Sequence, residues 1–290
     1  MVGFRPSLSS RDVMKLIKLQ IIDRDTRDVR GMSVLDLVKA FDQISHRHIH
    51  DSVTDMDLGS KFHGFVSSFL RGRRAALKVG EVKSDPFELG ARGTPQGSVI
   101  SPLLFNVAMR GLSAHLSEVD DINHALYADN IPVWCDGGSE GRVEESLQAA
   151  LSCTEDFLVG TGLRLSPSKS ELLFYRSTRR GRIPKGQVPL EKVDISIRKA
   201  IGQIIPKVEF IRVLGMLIEA NGCNGQTITR IATKTDNIVR LIARVSNSYG
   251  GLGEDNLLRL YPFLPNEPHQ ADAGPGRLHF SDPSQVIRNR

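Results

Sequence analysis

Cysteine is scarce in this chain, and the little there is excludes two structural classes. Cys135, Cys153 and Cys223 are odd in number, widely spaced and without a C-x-x-C pair. A disulfide framework and a zinc site are both disfavoured, and a reducing compartment is expected. Long apolar runs are missing as well. Nothing approaches the roughly 20 residues of a membrane-spanning helix, and Met1-Val2-Gly3-Phe4-Arg5-Pro6 carries no signal core. An intracellular protein, nuclear or cytoplasmic and with no membrane partner, is the expectation. His46, His48 and His50 lack a cysteine or a fourth ligand at zinc spacing and read as a surface cluster. Gly160-Thr161-Gly162 lacks the context of a dinucleotide fingerprint. No internal repeat is evident. Charge bias is mild, with net charge +5 and a pI near 9.2, which by itself is weak evidence for a nucleic-acid partner.

What remains is a chain of ordinary globular composition. Its 290 residues, 40% of them hydrophobic, can bury a full core as one large domain or a domain with a small appendage. Ser9-Ser10-Arg11-Asp12 can cap a helix with Val13, Leu16, Ile17 and Ile21 on its apolar face. Residues 33–37 form an apolar strand that ends near Asp36 and bends into a helical start. Residues 60–70, with Phe62, Phe65, Val66 and Phe69, read as an amphipathic helix. Ala75 to Val79 is a strand candidate followed by a Gly80-Glu81 turn. Leu103 to Leu116 suits one long, mostly buried helix, and 136–142 a glycine-rich loop. Val143 to Val159 is helical by period, with Leu147, Leu151 and Leu158 on one face. Strand candidates follow at Glu171–Tyr175, Val193–Ile197 and Val208–Met216. Residues 176–189 read as a basic loop, Gln226 to about Val245 as a helix, and 262–290 as a disordered tail.

Five segments carry the chemistry. They are the strand from Ser33 through Asp36 and Leu37 to Asp42, and the loop Ala91-Arg92-Gly93-Thr94-Pro95-Gln96-Gly97 feeding an apolar helix. After these come Tyr127-Ala128-Asp129-Asn130, Gly162 to Ser170, and Phe210-Ile211-Arg212-Val213-Leu214-Gly215. In this order and spacing they resemble the successive motifs of reverse transcriptases, specifically those of non-LTR (LINE-like) retrotransposons. Gly3-Phe4-Arg5-Pro6 resembles a finger segment just before them, so the resemblance spans roughly residues 3–261.

The resemblance implies an α+β fold: a right-hand polymerase palm of split βαβ type with helices on one face, partial fingers and the start of a thumb. It implies residues 1–225 as fingers remnant and palm, 226–261 as the start of a helical thumb, and 262–290 as a tail. The implied reaction is RNA-directed DNA synthesis on an RNA template from a DNA primer, using deoxynucleoside triphosphates. Two magnesium ions, with manganese as a substitute, would clamp the attacking and leaving oxygens. Asp36 and Asp129 are the implied carboxylate ligands, with Leu37 beside them in the metal set, and Asn130 and Lys169 complete the catalytic group. Phe41 matches the aromatic that blocks a ribose 2′-hydroxyl, and Gln96 and Gly97 the loop against the incoming nucleotide. Arg71, Arg73, Arg74 and Lys78 are candidates for template phosphates, as are Arg176, Arg179, Arg180, Arg182 and Lys185. Leu214 and Gly215 match a primer-grip hairpin.

Two departures stand out. An aspartate is expected where Asn130 stands; an amide oxygen brings no negative charge to hold a dication. Pro132, two residues into the returning strand, removes a ladder donor and belongs at an edge or bulge. The chain is also expected to be a truncated copy, with weakened or absent activity. Two other readings stay open: a catalytically dead, nucleic-acid-binding relative, and a group II intron-type maturase fragment. Oligomeric state is unknown from sequence.

Overall fold

The structure is a computed structural model; it describes residues 9–245 except 25, 27, 167, 177–188, 201 and 223–224. They fall into two compact units divided between Asn224 and Gly225.

In the first unit, α1 (Ser10–Ile17) continues into a π-helical turn, Lys18–Ile22, and β1 (Arg30–Asp36) leads to α2 (Ala40–Gln43), α3 (His46–Asp55) and α4 (Ser60–Leu70). Four two-residue strands follow: β2 (Arg74–Ala75), β3 (Lys78–Val79), β4 (Val82–Lys83) and β5 (Phe87–Glu88). Then come α5 (Ile100–Ala108), α6 (Arg110–Ser117), β6 (Asn123–His124), β7 (Asn130–Cys135), α7 (Glu140–Leu158) and β8 (Glu171–Tyr175). The hairpin β9 (Phe210–Val213) and β10 (Met216–Glu219) completes the unit.

The central sheet is antiparallel, in the order β6-β7-β1-β8. Along β1 every residue from Arg30 to Leu35 is buried, so the strand needs cover on both faces. Leu35, Leu37, Ile131, Val133, Leu172 and Phe174 share one core with α3 to α7. Met32, Val34, Trp134, Leu173 and Tyr175 face the other way, against Val13, Ile17 and Ile21 of α1 and its π turn and Ile211, Val213 and Ile218 of the hairpin. The expectation of helices on one face is thereby corrected: the major helical layer covers one face, and α1 with β9–β10 closes the other. Alternate side chains of β1 are apolar on both sides, and neither set can be left in water.

Several local expectations match, and others yield to tertiary contacts. Asp12 accepts the Ser9 backbone N–H at 2.9 Å, capping α1, while Leu16 is exposed rather than part of the buried face. Leu103 to Leu116 is not one helix; it breaks at Met109 between α5 and α6. Val193, Ile195 and Ile197 are buried in alternation yet form no strand: side chains take part of the segment's backbone, with Ser196 N–H donating to Glu144 Oε1 at 3.1 Å and Lys207 Nζ to Val193 O at 3.1 Å. Loop 136–142 is shorter than expected: Ser139 caps α7 and the helix starts at Glu140.

Pro132 is not at an edge. It lies in β7, between β6 and β1, opposite Val34. Tyr127 and Asn130 exchange two backbone bonds at 3.0 Å, and Pro132 O accepts from Ala125 N–H at 2.9 Å. The proline nitrogen therefore points to the two-residue strand β6. Only that short ladder loses a donor, and the β1–β7 ladder keeps its own.

In the second unit, α8 runs from Gly225 to Val245 and exposes Ile228, Ile231, Val239 and Leu241. The sequence expectations at Arg179–Lys185, 250–261 and 262–290 lie outside the described residues. Among the described residues, no helix is long and apolar enough to cross a membrane.

Candidate active site

Asp36 ends β1 directly opposite Asn130, the first residue of β7. Because the Asn130 backbone bonds toward Tyr127, this rung is of the non-hydrogen-bonded kind, in which facing side chains come closest. The two residues between Tyr127 and Asn130 make the hairpin turn. Ala128 holds φ at +52°, the sign that two-residue hairpin loops favour at that position. Asp129 follows, and its backbone carbonyl accepts from Leu37 N–H at 3.1 Å. Folding thus brings Asp36, Asp129 and Asn130 to one end of two adjacent strands.

The electrostatics agree with that placement. Burial pushes the Asp36 carboxyl above its ordinary range; Lys169 opposes the shift and the nearby Asp129 charge adds to it. Lys169 Nζ lies 3.8 Å from Asp36 Oδ1, an ion-pair separation too long for a hydrogen bond. Asp36 Oδ1 and Asn130 Oδ1 are both buried and have no hydrogen-bond partner. Two buried oxygens without a hydrogen bond, on opposite residues of one rung and with a single cation 3.8 Å from one of them, are an unusual expense in a folded protein.

Two serines that sequence reasoning assigned no role fix Asp36 in place, Ser170 through its hydroxyl and Ser166 through its backbone. Ser170 is fully buried; its Oγ accepts from the Asp36 backbone N–H at 3.2 Å and donates to Ser166 O at 2.7 Å. Ser166 N–H donates to Asp36 O at 2.7 Å. The segment Ser166–Ser170 thus brackets the Asp36 backbone and delivers Lys169 to its carboxylate. The only hint in the sequence is the serine repetition around Lys169.

Phe41, Gln96 and Gly97 form a neighbouring group. Phe41, on α2, is half-buried and stacks at a tilt on Phe105 with centroids 4.8 Å apart. Its carbonyl accepts from Thr94 N–H at 2.7 Å, and Gln96 Nε2 donates to Asp42 Oδ1 at 3.0 Å. Two glycine loops clasp α2: a Cβ on Gly93 would lie 2.8 Å from Asp42 O, and one on Gly162 would lie 2.5 Å from Gln43 O, both at positive φ. At Gly97, by contrast, φ is +86° and a Cβ would meet nothing within 4 Å.

Other candidates sit elsewhere. Leu37 is core, so any metal contact would come from its backbone. Leu214 and Gly215 are the positive-φ residues of the β9–β10 turn. Arg73 stacks on Phe69 at 5.2 Å and donates to its carbonyl, while Arg74 pairs across from Glu88 and donates to Pro86 O. The histidines of α3 are not a free surface cluster. His46 and His48 hydrogen-bond Gly93 O and Ala108 O, and the half-buried His50 lies 5.2 Å from the His63 ring. A groove of about 700 Å³ between Arg92, Glu155, Arg164 and Lys199 contains none of Asp36, Asp129, Asn130 or Lys169.

An oxygen-only donor set of two carboxylates and an amide suits a hard cation such as magnesium better than zinc. The orphaned oxygens fit it. Carboxylate supply stops at two: among the described residues no group of three His, Cys, Asp or Glu side chains is placed to hold a metal.

Comparison with known proteins follows the same line. The family pattern described as "Reverse transcriptase (RNA-dependent DNA polymerase)" matches residues 1–218. The chain is 31% identical over 176 residues to the Retrovirus-related Pol polyprotein from type-2 retrotransposable element R2DM of Drosophila melanogaster, covering 58% of this chain and 16% of that protein. It is 30% identical over 154 residues to the corresponding type-1 R2 polyprotein of Nasonia vitripennis, covering 50% and 14%. With the RNA-directed DNA polymerase from mobile element jockey of Drosophila melanogaster it shares 28% identity over 172 residues, 58% of this chain and 19% of that one. The chain therefore spans less than a fifth of the length of these relatives. Apo telomerase from Candida tropicalis, truncated from its C-terminal domain, aligns over 73% of this chain and 38% of its own, with TM-score 0.49 and 10% identity.

Proposed function

The chain belongs to the reverse transcriptase family, and from that premise we propose that it is the palm-centred polymerase portion of a non-LTR retrotransposon protein, weakened at its metal site. The observation that carries this reading is the rung between Asp36 and Asn130, with its two buried oxygens that make no hydrogen bond, next to Asp129. Residues 1–225 are read as fingers remnant and palm, 226–261 as the start of a thumb and 262–290 as a tail.

Asp36 and Asp129 would hold the metal ions, with the Asn130 amide oxygen as a neutral third donor. Bound magnesium supplies activation of the primer 3′-hydroxyl and neutralisation of the leaving pyrophosphate. The protein does the rest. The Ser166–Ser170 bracket keeps Asp36 fixed, and Lys169 holds a proton near the leaving phosphates. Phe41, braced on Phe105, walls the sugar side of an incoming deoxynucleotide, and Gln96, held by Asp42, offers a donor and an acceptor beside it. RNA template and DNA primer are the partners this reading requires.

Asn130 is the weak point. Removing one preorganised charge from a site that must hold two dications costs on the order of a hundredfold to a thousandfold in rate. Primer extension on an RNA template, with magnesium or manganese, tests the proposal. The unmodified chain is expected to extend barely, Asn130→Asp to raise extension, and Asp36→Ala to abolish it in either background. Extension that survives Asp36→Ala would remove the site from the reaction. Template binding without extension in any variant would favour the reading of a dead, nucleic-acid-binding relative.

A further inference from the structure

The four basic residues that sequence reasoning grouped at 71–78 separate in the structure. Arg73 is engaged by Phe69, and Arg74 by Pro86 O and the facing Glu88. Lys78 has no hydrogen-bond or ion-pair partner among the described residues, and it faces another lysine. Strands β3 and β4 form a two-stranded ribbon in register Lys78↔Lys83 and Val79↔Val82. Leu77 and Ser84 bond at 2.9 Å through Ser84 N–H and Leu77 O. The Lys78–Lys83 rung is therefore of the close, non-hydrogen-bonded type. Lys83 is likewise exposed and unpartnered among the described residues.

Alternation puts Leu77, Val79 and Val82 on one side of the ribbon and the two lysines on the other. Like charges directly opposite each other destabilise a strand pair, and this one has no carboxylate across from it to relieve it. Arg74↔Glu88, a few residues away in the same region, is the ordinary opposite-charge solution. A rung that sets two lysines opposite each other on an exposed ribbon is arranged for an anion that comes from outside.

We propose that the lysine face of the β3–β4 ribbon is a nucleic-acid docking surface, on which Lys78 and Lys83 together straddle the phosphodiester backbone. This rests on the reading of the chain as a template-handling polymerase, and adds to it a contact outside the Asp36 site. Nucleic acid is favoured over a lipid surface because the lysines and the apolar residues occupy opposite sides. A bilayer that took up Leu77, Val79 and Val82 would leave the ammonium groups pointing away from it.

The test is equilibrium binding of the whole chain to fluorescent duplex DNA and to single-stranded RNA across salt, without metal or nucleotide. Each lost phosphate contact reduces the salt slope by about 0.9 on duplex and about 0.7 on a single strand. K78Q/K83Q should thus flatten the slope by about 1.8 on duplex or about 1.4 on single strand, and the arm that reaches its own figure identifies the nucleic acid bound. Between 50 and 200 mM salt the duplex figure corresponds to roughly a tenfold smaller loss of affinity. K78R/K83R should retain the wild-type slope, and R74Q should change it less than K78Q/K83Q does. Circular dichroism on each variant separates folding from binding. An unchanged slope in folded K78Q/K83Q would overturn the proposal, as would tighter binding to anionic vesicles than to either nucleic acid, lost with V79S/V82S. Binding is read here without catalysis, so a chain that fails to extend a primer can still pass or fail this test.

Discussion

Asn130→Asp changes more than rate, and its effect on stability follows from the register. The substitution sets a second carboxylate directly opposite Asp36, across a rung whose facing Cβ atoms lie about 4.5–5.5 Å apart. Two unit charges about 6 Å apart interact by about 3 kcal/mol at an effective dielectric near 20. Asp36 is 18% exposed and Lys169 sits 3.8 Å from it, so solvent and that cation reduce the cost to about 1–2 kcal/mol. In chelator at neutral pH the variant should melt about 2–8 °C below the unmodified chain, on the scale of about 2–4 °C per kcal/mol for a unit of this size. Magnesium should reverse the order. A ligand at a hundred times its dissociation constant stabilises by about 2.7 kcal/mol, and the variant, with three carboxylates, should approach that at lower magnesium than the unmodified chain. Differential scanning fluorimetry in chelator and in a magnesium series measures both halves. A variant as stable as its parent in chelator, with no larger magnesium shift, would refute the shared metal site whatever the polymerase assay shows.

Three further outcomes follow from the same geometry. Burial raises the Asp36 carboxyl in the folded state, so the folded chain binds that proton more tightly than the unfolded one and stability falls as pH rises through the raised value. Asp36→Asn should therefore stabilise the metal-free chain at pH 7, and the gain should vanish near about pH 3, where both states are protonated. Urea midpoints at the two pH values check it, and equal midpoints at pH 7 would count against a buried, penalised carboxylate. Ser170→Ala leaves Ser166 O and the Asp36 N–H without their shared hydroxyl; a loss of about 1–3 kcal/mol by denaturant titration is expected, with extension falling further than stability alone explains. Gly162→Ala puts a methyl group 2.5 Å from Gln43 O at φ +86°, and should cost about 2–4 kcal/mol from left-handed strain and overpacking together; a variant with an unchanged urea midpoint would show that the clasp on α2 is loose.

Much of the fold was legible because local chemistry decided it. Glu171–Tyr175 is a strand as its short apolar run indicated, and Leu147, Leu151 and Leu158 line the buried face of α7 as their spacing required. The turn residues at Gly80, Ala128–Asp129 and Leu214–Gly215 all close hairpins. The order of the motifs named the family, which the match over residues 1–218 bears out.

What the chain could not announce is who faces whom. Val193–Ile197 has a strand's alternation and no ladder, and Pro132 sits in an inner strand because its missing donor turns toward β6. Arg30, a charged residue at a strand start, is fully buried, its guanidinium capping the carbonyls of Ile21, Arg24 and Thr26 and lying over Tyr175. Ser170 looks like loop polarity and is the hydroxyl that holds Asp36. Periodicity and turn residues report how a segment presents itself to its surroundings, since that is a property of the segment. Register, burial of a charge and the partner of a hydroxyl depend on segments distant in the chain. The pairing of Asp36 with Asn130, on which the proposed chemistry rests, was set only when β7 closed on β1.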